Sequence, residues 1–228
     1  MHKKLFITIM ISALVSALCL IGCKQMTAEP VAPKESFSAG TVSQDTKSVT
    51  MVITADEIGK LDQLQGLLMA DLRGSECYEE IYAWAQAHPE VSVRYDVPLP
   101  NGNTVTNDIS ALNMTTLTHD GVEQLIRAAS CLPQLTAIDL GSDRVDFGWE
   151  DVAALVEAFP ELDFSYTGEL YGQTVRLSDS SIDLKYIPVR DGGAQVRLAL
   201  RCMPGLKTLD MDSCGLGNEE MAAIRDEF

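Results

Sequence analysis

A single offset organises most of this chain. Cys131-Leu132-Pro133-Gln134-Leu135-Thr136-Ala137-Ile138-Asp139-Leu140 aligns with Cys202-Met203-Pro204-Gly205-Leu206-Lys207-Thr208-Leu209-Asp210-Met211, and the apolar positions match at an offset of 71. Asp120-Gly121 and Asp191-Gly192 keep that offset, as do His88-Pro89-Glu90-Val91 and Phe159-Pro160-Glu161-Leu162. Asn101-Gly102-Asn103-Thr104-Val105 meets Tyr171-Gly172-Gln173-Thr174-Val175 at 70. A chain that repeats at a fixed period folds as stacked copies of one unit, because each unit leaves an apolar face for the next to cover. The copies read as about 64–131 and 132–202, with a third begun over 203–228.

Each copy carries short strands of the form apolar–Asp/Asn–apolar: Ala70-Asp71-Leu72, Leu112-Asn113-Met114, Ile138-Asp139-Leu140, Ile182-Asp183-Leu184 and Leu209-Asp210-Met211. Side chains alternate along a strand, so the apolar pair points inward and the polar residue outward. The central residues are 42, 26, 44 and 27 positions apart. The short gaps hold a helix and a turn; the long ones hold a helix and a hairpin, such as Leu162 to Leu177 turning at Tyr171-Gly172. Val152, Leu155, Val156 and Phe159 mark one helical face, and Val122, Leu125, Ile126 and Ala129 mark another. Asp120 with Glu123 reads as a helix start of capping-box type. Pro89 and Pro160 end their helices, while Asp191 to Leu200 is a less regular helix.

Leu135-x-x-Ile138-x-Leu140-x-x-Asp143-x-Val145 resembles the leucine-rich repeat, and Leu206-x-x-Leu209-x-Met211-x-x-Cys214-x-Leu216 resembles its cysteine-containing form. Leu67-x-x-Ala70-x-Leu72-x-x-Ser75-x-Cys77 is a degenerate copy. The resemblance covers about 67–228 and implies that Asp143, Cys214 and Ser75 hydrogen-bond the turn inside the coil. Ordinary leucine-rich repeats run 20–29 residues, so the alternating spacing implies an irregular α/β solenoid of short strands and helices with hairpin insertions.

The chain opens on Met1-His2-Lys3-Lys4, then an apolar run from Leu5 to Ile21 that ends at Gly22-Cys23. A run of 17 residues approaches spanning length, but the basic start and the small residue before a cut site favour an export signal over 1–22. Leu20-Ile21-Gly22-Cys23 resembles the lipobox of bacterial lipoproteins, which implies lipidation of Cys23 and a protein anchored in the membrane on its extracytoplasmic side. More than one acyl chain gives a stable anchor. The stretch from Lys24 to about Thr50 is rich in Ser, Thr, Ala, Pro, Lys and Gln and reads as a disordered tether, so 23–50 lifts an array over 51–228 by roughly 30 Å.

With 17 basic and 33 acidic residues the chain has a net charge of -16, and loss of Lys3 and Lys4 with the leader takes it to about -18. Such a charge repels nucleic acid and anionic lipid. Cys77, Cys131, Cys202 and Cys214 are even in number, which permits disulfides in an exported protein. The matched repeat positions of Cys131 and Cys202 favour small buried apolar groups instead. His88 and His119 have no metal-ligand spacing, and no nucleophile elbow or phosphate loop appears. His119-Asp120 can be taken as a base and its orienter, or more simply as a helix start; Trp84 and Trp149 read as packing residues. No catalytic residue, metal or cofactor is expected. The outward column Asp71, Asn113, Asp139, Asp183 and Asp210 is either a face for a cationic partner or sugar hydroxyls, or a set of solvated strand positions. The expected function is binding of a protein or polysaccharide outside the cell. The alternative is the N-terminal part of a larger envelope enzyme or assembly factor whose catalytic region lies elsewhere. In the earlier copies a Pro follows the position of Phe228, so a longer protein is expected to continue with Pro, a polar residue and a short apolar strand.

Overall fold

A computed structural model describes residues 32–228. The expected export signal, Cys23 and the start of the expected tether lie outside those residues.

The described chain is a mixed α/β protein of short strands and helices. Strands β1 (Lys34–Phe37) and β2 (Gly40–Ser43) pair with each other, and β3 (Ser48–Thr50) follows. A 3-10 helix, Ala55–Gln63, leads to β4 (Met69–Asp71), α1 (Tyr78–Ala87), β5 (Ser92–Arg94) and the hairpin β6 (Asp96–Pro98) with β7 (Thr104–Thr106). Next come β8 (Ala111–Asn113), a 3-10 turn His119–Gly121, α2 (Val122–Ser130), β9 (Ala137–Ser142), α3 (Trp149–Ala158), β10 (Asp163–Leu170) and β11 (Gln173–Arg176). The last elements are β12 (Ser181–Asp183), α4 (Ala194–Cys202), β13 (Thr208–Asp210) and α5 (Asn218–Glu227).

The element order repeats. Strand, helix, strand, helix, strand and hairpin run from β3 to β7 and again from β8 to β11; β12 to α5 gives the first four elements a third time. Within each copy the strands are parallel: β3-β4-β5, then β8-β9-β10, then β12-β13. All five apolar–Asp/Asn–apolar triplets begin on these strands, four of them ending one residue past the strand, with Ala70, Leu72, Leu112, Met114, Ile138, Leu140, Ile182, Leu184 and Met211 buried. The expected hairpin is present: β10 and β11 are antiparallel, joined by Tyr171 (φ 52°) and Gly172 (φ 85°), both left-handed as a two-residue hairpin turn requires.

Two expectations change. The tether read through Thr50 is shorter, because β1, β2 and β3 occupy its second half. Phe37 and Val49 are buried there, and Ser38 donates from both its N–H and its hydroxyl to Glu57 Oε1 at 2.6 and 2.9 Å. Polar composition concealed a segment held by long-range bonds. For the same reason the first copy is not cut short at 64: β3 and the 3-10 helix are the counterparts of β8 and α2.

Helix starts also differ from the expectation. Asp120 sits inside the 3-10 turn, and Gly121, which precedes α2, makes no side-chain cap bond. The acid that caps by accepting the N-cap N–H is found instead at Asp151 (from Gly148, 2.9 Å), Glu220 (from Gly217, 2.8 Å) and Glu57 (from Thr54, 3.3 Å). These satisfy donors that every helix N-terminus leaves unpaired. Trp149 is buried over Gly168, where any Cβ would meet its ring at 2.6 Å, and its Nε1–H donates to Glu169 O at 3.0 Å. The thiols of Cys77, Cys131, Cys202 and Cys214 are free, with all but Cys77 buried. Among the described residues no helix is long and apolar enough to cross a membrane.

Candidate binding surface

The outward residue of each strand triplet is the natural place to look for a recognition surface. Each one does the same local work. The Oδ1 atom accepts the backbone N–H two residues on: Asp71 from Arg73 (3.4 Å), Asn113 from Thr115 (3.2 Å), Asp139 from Gly141 (3.0 Å), Asp183 from Lys185 (2.9 Å) and Asp210 from Asp212 (2.9 Å). This is the Asx turn, in which a short polar side chain imitates the next peptide carbonyl and bends the backbone out of the strand. It accounts for four of the five strands ending after three residues, β9 alone continuing to Ser142, and for Asp or Asn at a position whose side chain faces water.

The five residues do not form one carboxylate ladder. Asp71 lies between Thr50 and Arg94, and Asp139 between Asn113 and Ser165; of the four carboxylates only Asp183 and Asp210 are paired neighbours, about 5 Å apart. Asp71 is further neutralised by Arg73, whose guanidinium reaches both its oxygens at 2.8 and 2.6 Å and holds its carboxyl below the usual range. Ser165 donates its hydroxyl to Asp139 Oδ1 at 2.8 Å. The outward column read from the sequence is therefore broken into separate sheets, with a single close like-charge pair among these residues.

Beyond the Asx turns, the chain leaves the strands in paired loops. In each copy the loop after the first strand is tied to the loop after the second. Ile53 N–H donates to Ser75 Oγ (3.0 Å), His119 N–H to Asp146 O (2.7 Å) and Val189 N–H to Cys214 O (2.8 Å). Ser75 thus ties one loop to the next through its side chain. Cys214 plays it through its backbone carbonyl and not its thiol, while Asp143 instead accepts from Tyr166 OH (2.8 Å) and Glu169 N–H (3.3 Å) on β10. Each copy puts one large apolar side chain into water on these loops: Val52, Val145 and Tyr186, which are 54%, 110% and 70% exposed. Tyr186 does so from a left-handed backbone (φ 62°), pinned by its own N–H to Asp212 O. Val145 sits at the tip of a turn closed by the Arg144–Phe147 bridge. Beneath that turn Arg144 donates to the carbonyls of Leu140, Ser142 and Leu117 at 3.1, 2.6 and 2.7 Å.

Next to this turn is a cleft of about 410 Å³ containing His119 and Asp151. The His119 ring donates from Nδ1 to Asp151 Oδ1 at 2.6 Å, so its partner is a buried carboxylate 32 residues away and not Asp120. That hydrogen bond, with the charge of Asp151, raises the His119 pKa above its ordinary value, and Asp120 and Glu150 add to it. The geometry is that of a base and its orienter, yet no Ser, Thr, Cys or Tyr side chain is among the residues lining the cleft. With Asp151 also capping α3, the pair clasps the 3-10 turn at His119 to the first turn of that helix. His88 stacks on Trp84 with centroids 4.3 Å apart, and Asp62 accepts from Trp84 Nε1–H at 2.7 Å. Among the described residues no group of His, Cys, Asp and Glu is arranged to hold a metal ion. No family model, curated protein or solved structure matches this chain.

Proposed function

We propose that this protein is a recognition module held at a membrane through lipid on Cys23. It displays a leucine-rich-repeat-like solenoid outside the cell and binds a protein or polysaccharide along the edge where its strands end. The observation that carries the reading is the recurrence, once per copy, of an exposed apolar side chain among carboxylates on hydrogen-bonded loops: Val52, Val145 and Tyr186. Singly exposed apolar residues are ordinary on a protein surface. Here they recur in three successive copies, after the first strand in copies one and three and after the second in copy two, on loops whose backbones are already tied down, so little ordering entropy is lost on binding. Parallel strands direct these loops to one edge, where binding residues on repeat and α/β scaffolds are commonly found. The acidic balance favours a partner with cationic or hydroxyl groups over nucleic acid.

The test uses the full chain as bait against envelope extract, beside a variant carrying Val145→Asp and Tyr186→Asp. Both side chains project into water, so the variant should keep its circular dichroism and thermal midpoint while losing the captured partner. Capture that is identical with the variant would refute the loop-edge reading. Cys23→Ser should release the protein from membranes; retention after a high-salt wash would refute the anchor.

A further inference from the structure

The tie between paired exit loops is built from different chemistry in copy two. In copies one and three the residue whose N–H makes the tie, Ile53 or Val189, is apolar and buried. In copy two that residue is His119, and its ring adds a second tie. Nδ1–H donates to Asp151 Oδ1 at 2.6 Å, with the imidazole 71% and the carboxylate 7% exposed. Asp151 is fixed in turn by Gly148 N–H, which donates to its other oxygen at 2.9 Å. Phe147 alone separates Asp146, whose C=O accepts His119 N–H, from Gly148, so both ties act on the short turn that carries Val145. Arg144 holds the same turn from below, its Nη2 donating to Leu117 O two residues before His119.

The charges around the pair make this second tie conditional on a proton. Asp143, Asp146, Glu150 and Glu169 line the same cleft, Asp120 follows His119 in the chain, and Arg144 is the one other cation in the lining. From α4 the lining receives uncharged Gln195 and Leu198, and neither Glu123 nor Arg127 of α2 belongs to it. Among the described residues, the ion pair of Asp151 is with His119. A protonated ring therefore brings a positive charge to a carboxylate that little water reaches. A neutral ring still donates from Nδ1, but it leaves Asp151 facing the other carboxylates without that charge. The bond to Asp151 and the charge of Asp151 raise the His119 pKa, so the closed arrangement is favoured below that value and loses support as pH rises through it. The closed turn also encloses Arg144 Nε, which makes no hydrogen bond among the described residues. Opening exposes that donor to water, which brings the open and closed arrangements closer in free energy.

We propose that His119 and Asp151 form a proton-operated latch on the Val145 turn. With the ring protonated, the 3-10 turn, the Val145 turn and the start of α3 are held together. With the ring neutral, the 3-10 turn draws away from Asp151, His119 N–H leaves Asp146 O, and the turn that presents Val145 moves freely. Copies one and three, with Ile53 and Val189 in that place, keep their loops tied at either pH. In its function the latch rests on the recognition role proposed for Val145. Val145 is held in one fixed place, and so binds at the smallest ordering cost, on the acidic side of the His119 titration. Histidine suits such a device because its charge changes close to neutral pH.

The test is amide hydrogen exchange in the free full chain, followed by NMR from about pH 6 to 9, with each rate divided by the intrinsic rate at that pH. The His119 ring is titrated in the same samples. The amides of His119, Arg144 and Phe147 donate to Asp146 O, Phe147 O and Arg144 O. Their protection should fall by about fivefold or more as the ring loses its proton, while that of Ile53 and Val189 stays level. In His119→Gln the step should be absent. Protection of the three amides that is unchanged across the ring titration overturns the latch. A step that persists in His119→Gln also overturns it, because another group would then drive the change. The wild-type series decides by itself if that variant does not fold. Exchange is read without a partner, so capture from envelope extract, or its failure, bears on the recognition role alone.

Discussion

Replacing Ser75 by Ala removes a single hydroxyl and leaves a buried backbone donor without a partner. Ser75 is 5% exposed and Ile53 is 2% exposed, and the Ile53 N–H has Ser75 Oγ as its acceptor at 3.0 Å. An unpaired buried amide costs about 1–3 kcal/mol, and relief from burying the hydroxyl itself offsets part of that, so about 1–2 kcal/mol is expected. For a domain of this size the thermal midpoint falls by roughly 2–4 °C per kcal/mol, which gives a drop of about 2–8 °C. Urea unfolding followed by tryptophan fluorescence should show a lower midpoint with an unchanged slope. Cys214→Ser is the internal control: in copy three a backbone carbonyl takes the equivalent N–H, so changing that side chain removes no acceptor. A Ser75→Ala midpoint within error of the wild type would refute the reasoning, since it would mean that water or a relaxed backbone satisfies Ile53.

Three further outcomes are expected. Asp139→Asn, Asp183→Asn and Asp210→Asn together should leave unfolding unchanged or slightly improved, because an amide Oδ1 still closes the Asx turn and the one close carboxylate pair is relieved; a clear loss of stability would show that charge and not turn geometry matters there. The His119 ring should titrate above 6.5 by NMR, and Asp151→Asn should return it toward 6.5. A raised folded-state pKa means the contribution to stability is complete below the unfolded value and is lost as pH rises through the folded one, so a His119→Gln chain that kept the wild-type pH profile would contradict the clasp. Glu57 runs the opposite way. Burial pushes its pKa up, but the Ser38 hydroxyl and N–H, Thr54 N–H and Lys60 outweigh this and hold it at about 2. Its stabilisation is present above the ordinary carboxylate pKa and is lost as pH falls from about 4.5 toward 2, and Glu57→Gln should flatten the acid limb of the stability curve; parallel curves would remove Glu57 from the account.

The strand triplets and the helical faces were legible because alternation and 3.6-residue periodicity are local, and a repeated unit states each pattern more than once. The turn at Tyr171-Gly172 was legible for the same reason. What lay beyond reach was long-range. Phe37, Val42 and Val49 give no period inside their polar surroundings, and the bond that holds them in place joins Ser38 to Glu57, 19 residues on. His119 and Asp151 meet across 32 residues; the available signal was that Asp151 occupies the capping place that Glu220 fills in the next copy. The Asx turn was in plain view, since all five triplets put Asp or Asn at the same place, but the shared residue type suggested a ligand before it suggested a bend in the chain. The Ser75 hydroxyl accepts from Ile53 N–H, whereas at Cys214 a backbone carbonyl makes the comparable loop-to-loop bond with the side chain idle, a difference that residue type alone does not carry.

The Asx turns separate architecture from charge. One oxygen of each side chain bends the backbone, and the second atom, oxygen in Asp and nitrogen in Asn, takes no part in that bend. A single nucleotide change in such a codon can therefore alter the electrostatic character of the surface while the backbone beneath it keeps its shape. Four carboxylates and one amide occupy these positions in this chain, one setting among many that the same scaffold would tolerate. Exchange of Asp for Asn, strand by strand, could therefore retune the charge of this face without passing through an unfolded intermediate.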